Sequence, residues 1–121
     1  MAKKILVVDD EPDLLKAVTF RLRKLGYDII EAMDGGQAMD LVQEHRPHLI
    51  LLDLRLPIID GWEVCRRVKA DDQLKNIPII FLTASADALN SEMTKQLKGE
   101  DFLVKPFEPE ELLAIVKKLI G

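Results

Sequence analysis

Five short strand-like runs alternating with five stretches of helical spacing predict an α/β fold, a doubly wound five-stranded parallel sheet with helices on both faces. Two features of the runs support this. Most are apolar at successive positions, as strands buried on both sides must be. Several also end in acidic, hydroxyl or basic residues, which in such sheets line the crevice beyond the carboxyl ends of the strands. The connections between parallel strands are then right-handed.

The first run, Ile5–Val8, is aliphatic throughout and is bounded by Lys3-Lys4 and Asp9-Asp10-Glu11. Pro12 to Leu25 follows as a helix. Leu14, Leu15, Val18, Leu22 and Leu25 recur at three- and four-residue steps, Pro12 suits a first turn whose N–H has no helical partner, and Gly26 suits the exit. Tyr27–Ala32 reads as a strand with one face less protected. Gly36–His45 carries Ala38, Leu41 and Val42 on one face, and after the strand Leu49–Leu52 the helix Gly61–Ala70 carries Val64, Cys65 and Val68 likewise. Ile79–Leu82 is the fourth strand, and Ala88–Leu97, with Leu89, Met93 and Leu97, the fourth helix. Phe102–Val104 is the last strand. The last helix, Pro109–Ile120, turns Leu112, Leu113, Val116, Leu119 and Ile120 inward, with Glu110 and Glu111 in its first turn and Lys117 and Lys118 in its last, where they complement the helix dipole.

No linker, repeat or low-complexity stretch divides the chain, so residues 1–121 are expected to form a single domain, long enough to bury roughly 65–70% of its unfolded surface. A formal net charge of −4 disfavours direct contact with nucleic acid or a membrane surface. No apolar run approaches the ~20 residues of a membrane span. A lone cysteine and an N-terminus with no signal-peptide pattern point to the cytoplasm.

The chemistry concentrates at the strand ends: Asp9-Asp10 after the first, Asp53 after the third, Thr83 after the fourth and Lys105 after the fifth. Three carboxylates within about 5 Å repel by roughly 3 kcal/mol per pair at an effective dielectric of about 20, so their gathering calls for a cation. Mg²⁺ suits an all-oxygen site and takes one or two carboxylates together with phosphate oxygens. One carboxylate can itself take a phosphoryl group to give an acyl phosphate, and Asp53, on the middle strand, is the candidate. Lys105 as a point charge and Thr83 as a hydroxyl donor supply what that group needs.

Read together, Asp9-Asp10, Leu51-Leu52-Asp53-Leu54-Arg55-Leu56-Pro57 followed by Asp60-Gly61, Thr83-Ala84, and Lys105-Pro106-Phe107 resemble the receiver domain of bacterial two-component response regulators, of the chemotaxis-regulator type, over essentially the whole chain. The resemblance implies a flavodoxin-like sheet of strand order 2-1-3-4-5. It implies that Asp53 is the phosphoacceptor for a histidine kinase or phosphotransfer protein. Asp10, Asp53 and the backbone carbonyl of Arg55 would ligate Mg²⁺, with Asp9 acting through water. Lys105 would pair with Asp53 or the phosphoryl oxygens, and the Lys105-Pro106 bond would be cis. Thr83 and Phe102 would be the switch pair, changing the face built from the fourth predicted helix, the fifth strand and the last helix. Such a domain phosphorylates and slowly dephosphorylates itself and turns over no outside substrate.

The chain departs from the family's pattern at Lys98-Gly99, where Gly-Ala is usual, at Phe102, often Tyr, and at Leu56, often Met. Arg55 and Ser85 occupy positions that tune phosphoryl lifetime in the family. Plainer readings exist: Glu11 as a helix N-terminal charge, Cys65 as a small core residue, Asp34-Gly35-Gly36 as a turn, and His45 and His48 as no metal site. An aspartyl-phosphate phosphohydrolase or a phosphorylation-independent interaction module is the alternative function. The former usually carries Asp-x-Asp at its first strand, and the intact set of acids, Thr83 and Lys105 speaks against the latter. A flavin module would need a Ser/Thr/Gly-rich loop after the first strand. The last helix ends beside Gly121, so the chain is expected either to dock on a downstream protein target or to belong to a longer regulator with an attached effector domain.

Overall fold

β3, Leu49–Asp53, runs through the middle of the sheet with all of its residues buried. β1 (Lys4–Val8) and β4 (Ile79–Thr83) flank it, and β2 (Asp28–Ala32) and β5 (Asp101–Val104) form the edges. All pairings are parallel, and the order is β2-β1-β3-β4-β5. This computed structural model describes residues 2–84 and 101–121. Ser85, the helix expected over 88–97 and the Lys98-Gly99 pair lie outside the described residues. The described helices are α1 (Pro12–Lys24), α2 (Gly35–His45), α3 (Gly61–Ala70) and α4 (Pro109–Ile120).

Because side chains alternate across a strand, each run that looked uniformly apolar in sequence feeds two cores. Leu6, Val8, Ile50, Leu52, Ile79 and Phe81 pack with Val42, Val64, Cys65 and Val68 on the side of α2 and α3. Ile5, Val7, Leu49, Leu51, Ile80 and Leu82 pack with Leu15, Val18, Leu22, Leu112 and Val116 on the side of α1 and α4. Each fully buried aliphatic side chain stabilises the fold by roughly 1.5–3 kcal/mol, which makes the central strands a rigid platform for whatever stands at their ends.

Local chemistry fixes where the helices begin. Asp34 caps α2 by accepting from the N–H of Gln37 at 2.7 Å, while the Gln37 side chain accepts from the N–H of Met33 at 2.9 Å. Asp60 caps α3 in the same way through the N–H of Glu63 at 2.9 Å, and Glu108 and Glu111 form a reciprocal capping box on α4. Cys65 is fully buried, as its place on the α3 stripe predicts. His48 serves the backbone: its Nδ1 accepts from the N–H of Lys4 at 2.9 Å. No described helix is long and apolar enough to cross a membrane.

α2 starts at Gly35, against the loop that follows β3. A Cβ on Gly35 would overlap the carbonyl oxygen of Ile59 and lie 2.8 Å from its Cβ. Gly35→Ala is therefore expected to lower stability by about 2–3 kcal/mol, as overpacking against backbone does, measurable as a lower urea midpoint at unchanged m.

Candidate functional site

From β1 the chain turns to one side, to β2, and from β3 to the other, to β4, so strand order reverses between two strands that end in acids. That reversal opens a crevice at their carboxyl ends. Carboxylate oxygens of Asp9, Asp10 and Asp53 lie within 4.8 Å of one another there. Asp9 is fully buried and Asp53 is 5% exposed, whereas Asp10 faces solvent.

Two of these acids are held in place by backbone donors. Asp9 Oδ1 accepts from the N–H of Glu11 at 2.9 Å, and Asp53 Oδ1 accepts from the N–H of Arg55 at 3.0 Å. Lys105, reaching in from the end of β5, places its Nζ 2.7 Å from Asp9 Oδ2, 2.9 Å from Glu11 Oε1 and 3.1 Å from Asp53 Oδ2. The contact with Asp9 is ionic and lies off the hydrogen-bond direction, so Asp9 Oδ2 is a buried oxygen without a hydrogen bond. The backbone positions the lysine as well: its N–H donates to the Thr83 carbonyl at 2.7 Å, and the Lys105-Pro106 peptide that follows is cis.

Four carboxylates, Asp9, Asp10, Glu11 and Asp53, against one ammonium leave three negative charges, most of which one divalent cation balances. The oxygen-only donor set fits a hard cation of that kind. Burial pushes the Asp9 carboxyl above its ordinary 3.8, against the opposing pull of Lys105 and the Glu11 N–H. Burial acts to lower Lys105, but its contacts with Asp9, Glu11 and Asp53 together outweigh burial and hold the ammonium above its ordinary 10.5.

A carboxyl raised in the folded state favours folding while protonated. The Asp9 contribution is thus full below about pH 3.8 and is lost as pH rises through its elevated folded value. In EDTA, wild type is expected to lose stability relative to Asp9→Asn across that rise, and a divalent cation, which favours the ionised form, removes the loss. Urea titrations of both proteins at several pH values check this. Parallel profiles in EDTA would contradict it.

Thr83 is fully buried at the end of β4, beside the end of β3, where Asp53 pairs with Leu82. Phe102 pairs in register with Phe81 and stacks on it at 5.7 Å between ring centres, with 40% of its surface exposed. Phe81 and Thr83 are two apart on β4, so Phe102 shares their face of the sheet. The sequence-predicted residues Asp9, Asp10, Asp53, Thr83 and Lys105 thus meet at one edge, with Arg55 joined to Asp53 through its backbone N–H.

Glu11 went unrecognised in sequence as part of this group. It stands at the N-cap of α1 but caps nothing with its side chain, which turns instead to Lys105. The only signal was a third acid where one would suffice. Arg55 was named in sequence for its backbone carbonyl and its position, but not for the place of its guanidinium, 5.9 Å from the ring centre of Trp62 at the start of α3.

The response regulator receiver domain model matches residues 5–117. Among solved structures, the chain is similar to the receiver domain of a sensor histidine kinase from Pseudomonas aeruginosa, solved with a magnesium ion coordinated in its active site cleft. The two share 36% identity at a TM-score of 0.91, over 100% of this chain and 99% of that one. The chemotaxis response regulator CheY4 of Vibrio cholerae is 31% identical at a TM-score of 0.91, over 99% of this chain and 100% of that one. A BeF3-activated receiver domain, DrrB, is 32% identical at a TM-score of 0.87, over 99% of this chain and 98% of that one. With the crevice, the acids and the lysine in the arrangement described and the family's model spanning nearly the whole length, the chain belongs to the response regulator receiver domains, the phosphoryl-accepting switches of two-component signalling.

Proposed function

We propose that residues 1–121 form one receiver domain that takes a phosphoryl group onto Asp53 from the phosphohistidine of a partner kinase or phosphotransfer protein in the cytoplasm. The observation that carries the reading is the Lys105 ammonium set between Asp53 and Asp9, with Asp10 completing an acidic group at the switch point of the sheet. Mg²⁺ is the cation this oxygen set fits. Asp10, Asp53 and the backbone carbonyl of Arg55 would hold it, with Asp9 acting through water, and when bound it neutralises charge on the phosphoryl oxygens.

The chain's own residues do the rest. An Asp53 carboxylate oxygen attacks phosphorus as the donor's nitrogen–phosphorus bond breaks, and the imidazole departs with the electron pair. Lys105, already 3.1 Å from Asp53 Oδ2, stays as the counter-charge to the new group, and the Thr83 hydroxyl donates to a phosphoryl oxygen. Attack by water on phosphorus then breaks the bond to the Asp53 oxygen, releasing inorganic phosphate and restoring the carboxylate, the self-dephosphorylation expected of the family.

Moving a 1:99 equilibrium to 99:1 takes about 5.5 kcal/mol, and a charge-assisted hydrogen bond supplies roughly 1.5–3 kcal/mol, so Thr83 does not throw the switch alone. Lys105 shares the work, and a bound metal would add to it. As Thr83 is drawn toward the phosphoryl group, the ring of Phe102 turns inward, altering the face of β5 and α4 that a downstream target or an attached effector domain reads.

Incubation with acetyl phosphate and Mg²⁺ is expected to add the mass of one phosphoryl group to the intact chain, and Asp53→Asn to abolish the addition. An adduct that persists in Asp53→Asn, or no adduct with any small donor, would overturn the reading.

A further inference from the structure

The loop after Asp53 closes on itself, since the N–H of Gly61 donates to the Leu54 carbonyl at 2.8 Å and brings residues 55–60 back to the carboxyl edge of the sheet. Within it Ile58 is 82% exposed, the most exposed large apolar side chain among the described residues. Its backbone is left-handed, with φ 72°. A β-branched residue there is an outlier, because its Cβ crowds the neighbouring carbonyl, whereas asparagine or glycine takes the same conformation with little or no strain.

The fold does not need this side chain. The Pro57 carbonyl accepts from the N–H groups of Gly35 at 3.2 Å and Ile59 at 2.8 Å, and Ile59, the next residue, is the one that packs against the core. Strain and exposed apolar surface kept together at the mouth of a reactive site point to a use outside the chain.

The reaction says what covers it. Asp53 is 5% exposed, so a phosphoryl group carried on another protein's histidine reaches it only when that protein settles on the rim of the crevice. Residues 55–60 form the rim beside β3. Met33, 41% exposed at the carboxyl end of β2 and next to the capping Asp34, continues the apolar rim over the start of α2. A small phosphodonor enters without touching either.

We infer that Ile58 is the apolar anchor for the histidine-bearing phosphodonor, setting transfer from proteins apart from transfer from small molecules; this rests on Asp53 being the phosphoacceptor. The fitting partner carries an apolar patch beside its phosphohistidine.

The test compares wild type, Ile58→Asn and Ile58→Val in three measurements. Thermal unfolding of Ile58→Asn is expected to rise by a few degrees as backbone strain is relieved. Labelling of Asp53 by acetyl phosphate with Mg²⁺ stays within two-fold of wild type. Transfer from a panel of purified, autophosphorylated histidine kinase cores of the same organism, read with the fastest donor, falls by about ten-fold or more in kcat/KM, the effect of losing one buried aliphatic contact, and Ile58→Val recovers most of it. An equal effect on both donor types, no effect on either, or a wild type labelled by acetyl phosphate but by no kinase in the panel overturns the inference. Failure of acetyl phosphate to label wild type would instead remove the Asp53 reading itself, and this inference with it.

Discussion

Lys105→Met is expected to lower stability by about 3–5 kcal/mol in EDTA, with most of the loss recovered in millimolar Mg²⁺. The lysine side chain is 8% exposed and touches two acids that are themselves buried, Asp9 and Asp53, together with the more exposed Glu11. Removing the ammonium while leaving its partners strands like charges in a poorly solvated pocket, a costlier change than deleting an exposed ion pair, which is worth about 0–1 kcal/mol. A divalent ion supplies positive charge to the same oxygens, hence the recovery. Urea unfolding of both proteins with and without Mg²⁺ measures it. A loss that Mg²⁺ leaves unchanged would mean that the lysine acts through packing alone. Because its folded titration lies above the ordinary value, the wild-type ammonium contributes fully below about pH 10.5, so the comparison holds throughout the neutral range.

The second large effect is expected at Gly61, where function and stability fall together. A Cβ on this residue would overlap the carbonyl oxygen of Asp53 and lie 2.7 Å from Leu54 Cα, both backbone atoms. No side-chain rotation relieves that overlap, so either the start of α3 or the end of β3 must move. Gly61→Ala is expected to cost about 3 kcal/mol, the upper end of ordinary overpacking. Its rate of labelling by acetyl phosphate falls by about ten-fold or more, since an ångström of displacement of the attacking oxygen loses the aligned geometry. Gly35→Ala, which presses on the same loop from the α2 side without touching Asp53, separates the effects: it loses stability and keeps most of its labelling rate. Equal labelling rates for Gly61→Ala and wild type would contradict the close approach.

The fold was legible because its central strands are apolar at every position, a pattern that leaves few alternatives to a sheet covered on both sides. The observed β1, β3 and β4 differ from the expected runs by one residue at most, and the site was legible for a related reason. Charged and hydroxyl residues that follow buried strands have only the sheet edge to occupy, so Asp9, Asp10, Asp53, Thr83 and Lys105 announced a common location. What depends on tertiary approach was not legible. Gly35 read as part of a turn and Gly61 as a helix start, although it is neighbouring backbone that excludes a side chain at both. Glu11 read as a helix-terminal charge because nothing local says that its carboxylate will meet a lysine ninety-four residues on. Ile58 carries no turn signal at all, since β-branched residues belong to strands, and its left-handed backbone is imposed by a loop pinned at both ends. The stacking of Arg55 on Trp62 likewise joins two elements whose separation in sequence carries no periodicity.

In the proposed function Asp53 becomes an acyl phosphate beside a metal ion, with Lys105 as its counter-charge. A crystal structure of the protein with beryllofluoride and Mg²⁺ tests it most directly. Beryllium is expected on an Asp53 carboxylate oxygen, fluorine atoms facing Lys105 Nζ and the Thr83 hydroxyl, and the metal on Asp10 and Asp53. Density for the fluoride adduct on another residue, or a metal held away from these carboxylates, would contradict it.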